Sequence, residues 1–455
     1  MTPFDLTRSQ QIIWLHEELF PRSHAYNFSA VLDLRGPLDE QALRDSLAGV
    51  LQRHEGLRLE LVPGGLPPRQ RVNSTTTPRY RTADLSSRDD PDAACHEIVL
   101  AQHNDPFDLT EAPLARWCLV SLGDKHHRLV HTEHHLIHDG WSFSVFLRDL
   151  FTLYRGLTGG AAANLPTPRS FADHARGFAA EPDGYASHES ALRHWRTLLE
   201  GAEFGLAFPG RAPAERRRES PDGAQTRHVL DPELAEDLRA RARRDGHTPY
   251  VVLLTLYAEL LRRHTGRDDM VIGSAVGNRP TAYRHSIGMF VNTVPLRVRL
   301  RPGRPAGEAV DDAVDMLMQA LPHQHLPVQE LARELGVHSR TGVDTPLFQV
   351  MFSAHDAPLP VIEGLDVHVS FEEALNGGTS RFDLDVVVLP DSRRTVNPRT
   401  GPAGMTLIWD YATDLFDEAA VRVLQSQYTD LLRDYARAPG TPLSAIAPHV
   451  TSVHR

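Results

Sequence analysis

The sequence predicts a mixed α/β (α+β) fold in two lobes, and three stretches predict it. Arg128-Leu129-Val130-His131-Thr132-Glu133 has the period and β-branched content of a strand, while Phe143, Phe146, Leu147, Leu150 and Tyr154 recur at helical spacing. The stretch His134 to Gly140 therefore lies where a strand hands over to a helix. In the C-terminal half the apolar helix Val251 to Leu261 runs into a strand, Met270 to Gly277. Between the two, from about Leu157 to Ala180, the composition turns to Gly, Ala, Pro and Thr, and Gly159 to Ala163 has no periodicity. This reads as a linker, dividing the chain into residues 1–178 and 179–455.

The elements follow in order. Thr7 with Gln10 forms a capping box, and Ile12, Leu15 and Leu19 mark the expected buried stripe of a first helix. Phe28, Ala30, Leu32 and Leu34 alternate as a strand. Asp39 caps a helix striped by Leu43, Leu47, Val50 and Leu51, which runs into Arg53-His54-Glu55-Gly56-Leu57-Arg58. Leu114 to Leu122 and Arg128 to Glu133 are paired strands, and the second delivers His134 to Gly140. Gly140 tolerates the backbone of the turn and allows a substrate to approach closely, and Ser142 is placed to cap the next helix. That helix start presents unpaired N–H groups to developing negative charge. Helices resume near Tyr185 to Leu199 and Pro232 to Arg244. Gly273 and Gly277 do not make a phosphate loop, because no Gly-Lys-Ser/Thr follows and the chain turns through Asn278-Arg279-Pro280. No internal repeat is visible.

With 455 residues and 41% hydrophobic composition the chain can bury ample core. No window is long and apolar enough to span a membrane, and the N-terminus lacks a basic-then-apolar secretory pattern, so a cytoplasmic protein is expected. Cys95 and Cys118 are the only cysteines, one expected on a helix and one on a strand, which excludes a disulfide framework. A net charge of −11 argues against nucleic acid as a partner. The basic runs Arg216-Arg217-Arg218 and Arg239 to Arg244 read as a solvated loop and helix face, or as docking points for an acidic protein partner.

His134-His135-Leu136-Ile137-His138-Asp139-Gly140, continued by Trp141-Ser142, reads HHxxxDG-Trp-Ser and resembles the core motif of the condensation domains of nonribosomal peptide synthetases. Ile287-Gly288-Met289-Phe290-Val291-Asn292-Thr293 is similar to that family's fifth signature throughout, and Arg53 to Arg58 closely resembles the second. Partial likenesses stand at Ser9 to Leu15 (first), Phe171 to His174 (fourth), His323 to Glu330 (sixth) and Thr345-Pro346-Leu347-Phe348 (seventh). Ser380 to Leu384 and Asp410 to Phe416 resemble late family strands. The resemblance covers essentially the whole chain. It implies two chloramphenicol-acetyltransferase-like lobes forming a V-shaped pseudo-dimer, with one active site at their interface. It also implies that His135 is catalytic and that Asp139 organises the site through an ion pair, with Arg58 or Arg279 as partner. Gly140 joins His135 and Asp139 as an expected catalytic residue, and His134, Trp141, Ser142, Arg58, Arg279 and Asn292 are the supporting ones.

The resemblance further implies an acyl or aminoacyl donor held as a thioester on the phosphopantetheine of a peptidyl or acyl carrier protein, with no bound cofactor. A small-molecule amine or alcohol would accept the acyl group, giving an amide or an ester. An imidazole is suited to take or orient a proton near neutral pH, and backbone N–H groups around Gly140 could hold the oxyanion. His135 acts as general base or as a positioning group; both readings stand. His126, His127, His131, His134, His135 and His138 fall close together, but side chains on a strand alternate faces, so no metal site is expected. Trp141-Ser142 favours condensation over epimerisation, and intact histidines exclude cyclisation domains, which carry aspartates there. A non-catalytic carrier-binding module and an HHxxxDG acyl-CoA-dependent acyltransferase are the alternatives. Without a carrier serine motif or adenylation signature, a free-standing or excised condensation enzyme is expected.

Overall fold

The computed structural model describes residues 2–20, 23–177, 186–206, 208, 221–337 and 347–447. Arg216 to Arg218, Tyr185, Thr345, Pro346 and the boundary at 178/179 lie outside them. The first half runs β1 (Phe4–Asp5), α1 (Arg8–Leu19), β2 (Asn27–Arg35), α2 (Glu40–Arg53), β3 (Leu59–Val62) and β4 (Arg69–Val72). It continues with β5 (Arg79–Asp84), α3 (Pro91–Asn104), β6 (Ala115–Gly123), β7 (His126–His134), α4 (Gly140–Leu157) and α5 (Phe171–Gly177). The second half holds α6 (His188–Leu199), β8 (Gly223–Leu230), α7 (Pro232–Asp245), α8 (Pro249–Thr265), β9 (Asp269–Val276) and β10 (Asn292–Arg299). After these come α9 (Ala306–Ala320), α10 (Val328–Glu334), β11 (Val350–Ala354), β12 (His368–Glu372), β13 (Leu384–Leu389), β14 (Met405–Ala412) and α11 (Glu418–Arg437).

Two large sheets carry the mixed α/β architecture, one ordered β12-β2-β7-β6-β5 and the other β10-β9-β11-β13-β14-β8, beside a small sheet β1-β4-β3. In the first sheet β2 and β7 run antiparallel from Asn27 opposite His134 to Arg35 opposite His126, so Ala30, Leu32 and Leu34 are buried. Asp39 caps α2 by accepting from Ala42 N at 2.9 Å, and Leu43, Leu47, Val50 and Leu51 are fully buried as their spacing predicts. Cys95 and Cys118 lie on α3 and β6 as buried free thiols.

The first helix turns a different face inward. Thr7 and Gln10 form the expected capping box, but Gln10 and Ile13 are the buried residues of α1, and Leu15 and Leu19 are 47% and 60% exposed. Gln10 goes inside because its amide is satisfied there, with Nε2 donating to Leu136 O and to Gln70 Oε1, both at 3.0 Å. A hydrogen-bonded buried amide is invisible to hydrophobic periodicity. The late strands are also displaced. Ser380 to Asp383 forms the approach to β13, and only Asp410 to Ala412 of the second stretch lies in β14.

Most of the buried apolar residues of the second half form one core around α8, α11 and the six-stranded sheet. The core of the first half is completed by residues from beyond 179, among them Ile287, Phe290, Ile362, Val367 and Phe371. β12 joins the first sheet antiparallel to β2, with Val369 opposite Leu34 and Phe371 opposite Leu32. Gly36 permits the approach: its φ is +127°, and a Cβ there would meet the Asp366 carbonyl oxygen at 2.7 Å.

Candidate active site

The first sheet ends β7 at His134, a single 3-10 turn carries His135 to Ile137, and α4 begins at Gly140. His135 stands in that turn, half-buried, with its backbone N–H donating to Tyr26 O at 2.8 Å and its ring centroid 6.2 Å from the ring of Tyr26. Its Nδ1 is buried with no hydrogen-bond partner. Burial, with the charges of His138 and Arg381, pushes the imidazole down to about 3 although Asp139 pulls the other way. The ring is therefore neutral near pH 7. His134 turns away, accepting from Leu136 N at 3.2 Å through Nδ1, with its ring 6.0 Å from that of Phe107.

Asp139 is the N-cap of α4. Its Oδ1 accepts from Ser142 N at 2.9 Å, from Ser142 Oγ at 2.8 Å and from Arg279 Nη2 at 2.7 Å, while Oδ2 accepts from Phe290 N at 3.1 Å. Burial alone would raise this carboxyl, but the guanidinium of Arg279, then His138 and Ser142, hold it below the usual carboxylate range. Arg279 lies over the Phe290 ring at 3.9 Å, and its Nη1 donates to Tyr283 O and Ser286 O at 3.1 and 2.6 Å. Arg58 does not reach Asp139. Its guanidinium donates to the carbonyls of Leu51, Gln52 and Asn73 at 3.0, 3.2 and 3.5 Å, closing the end of α2.

Three further expectations change. Asp139, not Ser142, caps α4; Ser142 bonds the second half, its Oγ donating to Gly288 O at 2.9 Å and accepting from Gly288 N at 3.1 Å. Gly140 is absent from the positive-φ glycines, so the turn does not require it; a Cβ there would touch the His355 ring at 3.4 Å, inside the cavity. The alternation argument holds only in part as well. His131 and Glu133, two apart, share a face, and His138 folds back so that Glu133 Oε1 lies 3.0 Å from His131 Nε2 and 2.6 Å from His138 Nδ1. Among the described residues no group of three or more His, Cys, Asp or Glu is arranged to hold a metal ion.

A cavity of about 700 Å³ lies against this turn, lined from the first half by Tyr26, His135 and Trp141 and from the second by Met351, His355 and Asp385. Trp141 is 38% exposed, with Nε1 donating to Arg284 O at 2.9 Å. Asn292 also borders the cavity, and its amide donates to Gln324 O and Leu326 O at 2.7 and 2.9 Å, so the fifth and sixth signature stretches meet there.

A family model described as the condensation domain matches residues 2–449. The chain belongs to the condensation domain family. Condensation domains are acyltransferases that form amide bonds, and the family serves nonribosomal peptide and antibiotic biosynthesis. This condensation domain is similar to phosphinothricin tripeptide synthetase PhsC of Streptomyces viridochromogenes, 32% identical over 98% of the chain and 40% of that protein. To a linear gramicidin synthase component of Brevibacillus parabrevis it is 30% identical over 97% of the chain, spanning 6% of that protein. It thus spans less than half the length of these curated relatives.

Solved structures share the fold. The starter condensation domain of rhizomide synthetase, in complex with C8-CoA and Leu-SNAC, superposes with a TM-score of 0.83 at 22% identity, covering 98% of this chain and 97% of that one. The X-domain from teicoplanin biosynthesis gives 0.78 at 25% identity, covering 97% of each. Residue patterning missed His355 and Asp385, which enter the cavity from β11's end and β13. Neither sits in a signature stretch, and only the pairing of β11 with β13 brings them beside His135's cavity.

Proposed function

We propose that this condensation domain transfers an acyl or aminoacyl group from a phosphopantetheine thioester on a carrier protein to an amine or alcohol acceptor, with His135 facing the reacting atoms. The observation that carries the reading is the His135 imidazole, standing beside the rings of Tyr26 and His138 on the wall of a cavity that both halves line. For an amine acceptor, the nitrogen adds to the thioester carbon, the C–S bond then breaks, and the proton lost by nitrogen passes by way of the imidazole to the departing thiolate. A base held near 3 is too weak to strip a free ammonium. His135 therefore orients the neutral nucleophile by accepting its N–H, and takes the proton once the tetrahedral adduct has made it acidic. The oxyanion falls to the first-turn amides of α4 at Gly140 and Trp141, residues that border the cavity and whose N–H groups the helix leaves unpaired. Alignment of two held substrates supplies a further large part of the rate.

The rhizomide neighbour, named with an acyl-CoA and an aminoacyl thioester together, supports two thioester-borne substrates. A second reading, a docking module, is favoured by likeness to the X-domain, of which a complex with OxyB is also a neighbour. Mass spectrometry of an acyl-loaded carrier protein incubated with the enzyme and a panel of amines and alcohols separates them. Product that disappears with His135→Ala supports transfer; carrier binding with no product from any acceptor supports docking.

A further inference from the structure

β13 and β14 are antiparallel neighbours with Asp385 opposite Asp410, which places two carboxyl groups side by side on one face of the second sheet. They are treated differently. Asp410 Oδ1 accepts from Asn376 Nδ2 at 2.6 Å and from Gln225 Nε2 at 3.1 Å. Asp385 is 8% exposed, its Oδ1 is buried with no hydrogen-bond partner, and the residue lines the cavity. Arg381 acts on both carboxyls and Arg227 on Asp410, but only through space, without a direct ion pair among the described residues.

Such an arrangement does nothing for the sheet. An apolar side chain would fill the place between Met351 on β11 and Val387 at less cost, since burial and the neighbouring Asp410 push the Asp385 carboxyl up to about 7, with Arg381 opposing. A buried acceptor with no donor, on a residue that borders the cavity, leaves room for a donor brought by a ligand. The ligand must bring N–H donors, and two adjacent carboxyls that Arg381 only partly offsets favour one that brings positive charge as well.

We propose that Asp385 is a specificity-determining residue that binds a basic nitrogen on one of the two substrates, other than the nitrogen that reacts. This rests on the acyl-transfer reading. The reacting nitrogen has to meet His135 on the turn that ends the first sheet, whereas Asp385 belongs to the second sheet, so the nitrogen at Asp385 is a side-chain amine. Donor and acceptor are the two sources of that chemistry.

The test uses N-acetylcysteamine thioesters of ornithine and of norvaline, which differ in the side-chain amine, each supplied first as acceptor and then as donor. In one of the two arms the wild-type enzyme should favour ornithine at least tenfold in kcat/KM, chiefly through KM. Asp385→Asn should bring the ratio near one, and Asp385→Glu should restore it. A wild-type ratio near one in both arms overturns the proposal, as does a preference that survives Asp385→Asn. Calorimetric binding of the same thioesters to His135→Ala separates the two readings: a preference for ornithine there supports the Asp385 site even if no arm gives product, and equal binding overturns it.

Discussion

At the scale of the residue, the site divides into one group with spare valence and one with none. His135 borders the cavity and keeps a buried Nδ1 without a partner, while the Asp139 carboxylate already accepts four hydrogen bonds. Replacing His135 by Ala should lower acyl transfer about 10²- to 10⁴-fold while the thermal unfolding midpoint stays close to wild type. Replacing Arg279 by Ala should instead unfold the protein more readily, by about 3–5 kcal/mol in a denaturant titration, because it strands a buried carboxylate. Arg58→Ala should cost about 1 kcal/mol, since it breaks only half-buried contacts to carbonyls. The motif string made His135 and Asp139 legible, but the choice between Arg58 and Arg279 was not. Both follow turns or helix ends, and what decides is that the carbonyls at the end of α2 already occupy Arg58.

At the scale of the element, stretches far apart in sequence meet at one seam. His54 Nδ1 accepts from Ile287 N at 3.4 Å, Ser142 bonds Gly288 in both directions, and Asp139 receives Phe290 N. Gly56 lies so close that a Cβ would stand 2.2 Å from the Ile287 carbonyl oxygen. The second, HHxxxDG and fifth signature stretches are thus parts of one contact, which is why they were readable together. Gly56→Ala should therefore destabilise by about 1–3 kcal/mol and lower turnover by displacing 287–290 from Asp139. Gly440→Ala, where a Cβ would meet nothing within 4 Å, should leave both the melting temperature and turnover unchanged. The orientation of α1 was illegible for the opposite reason: Gln10 is held by carbonyl and amide partners from elsewhere in the chain, and no local pattern records them.

At the scale of the whole molecule, strand exchange and proton linkage both reach across the two halves. The pairing of β12 with β2 joins segments more than three hundred residues apart, and an alternating strand carries no mark of which sheet it will enter. Linkage is additive and easier to foresee from the structure. Burial pushes His135 down to about 3 and His103, His174 and His194 to about 4, and lowers His54 and His355 as well. These folded values lie below the unfolded value of about 6.5, so below that pH the unfolded chain binds more protons and stability falls with pH. Asp385, raised to about 7, works in the reverse direction over part of this window, since it is protonated in the folded state while the unfolded carboxyl is still charged. One such carboxyl, with Asp410 raised beside it, is outnumbered by the imidazoles. The lowered carboxylates Asp139 and Asp149 hold their contribution until the pH drops below the usual carboxylate range. Calorimetry should find the melting temperature level above pH 7 and falling steadily from about 6.5 towards 4, with a steeper loss below; a melting temperature that is flat between pH 7 and 5 would show that these rings are not held neutral by the fold. Asp385→Asn should deepen the fall between pH 7 and 4, because it removes the one titration on the cavity wall that opposes it.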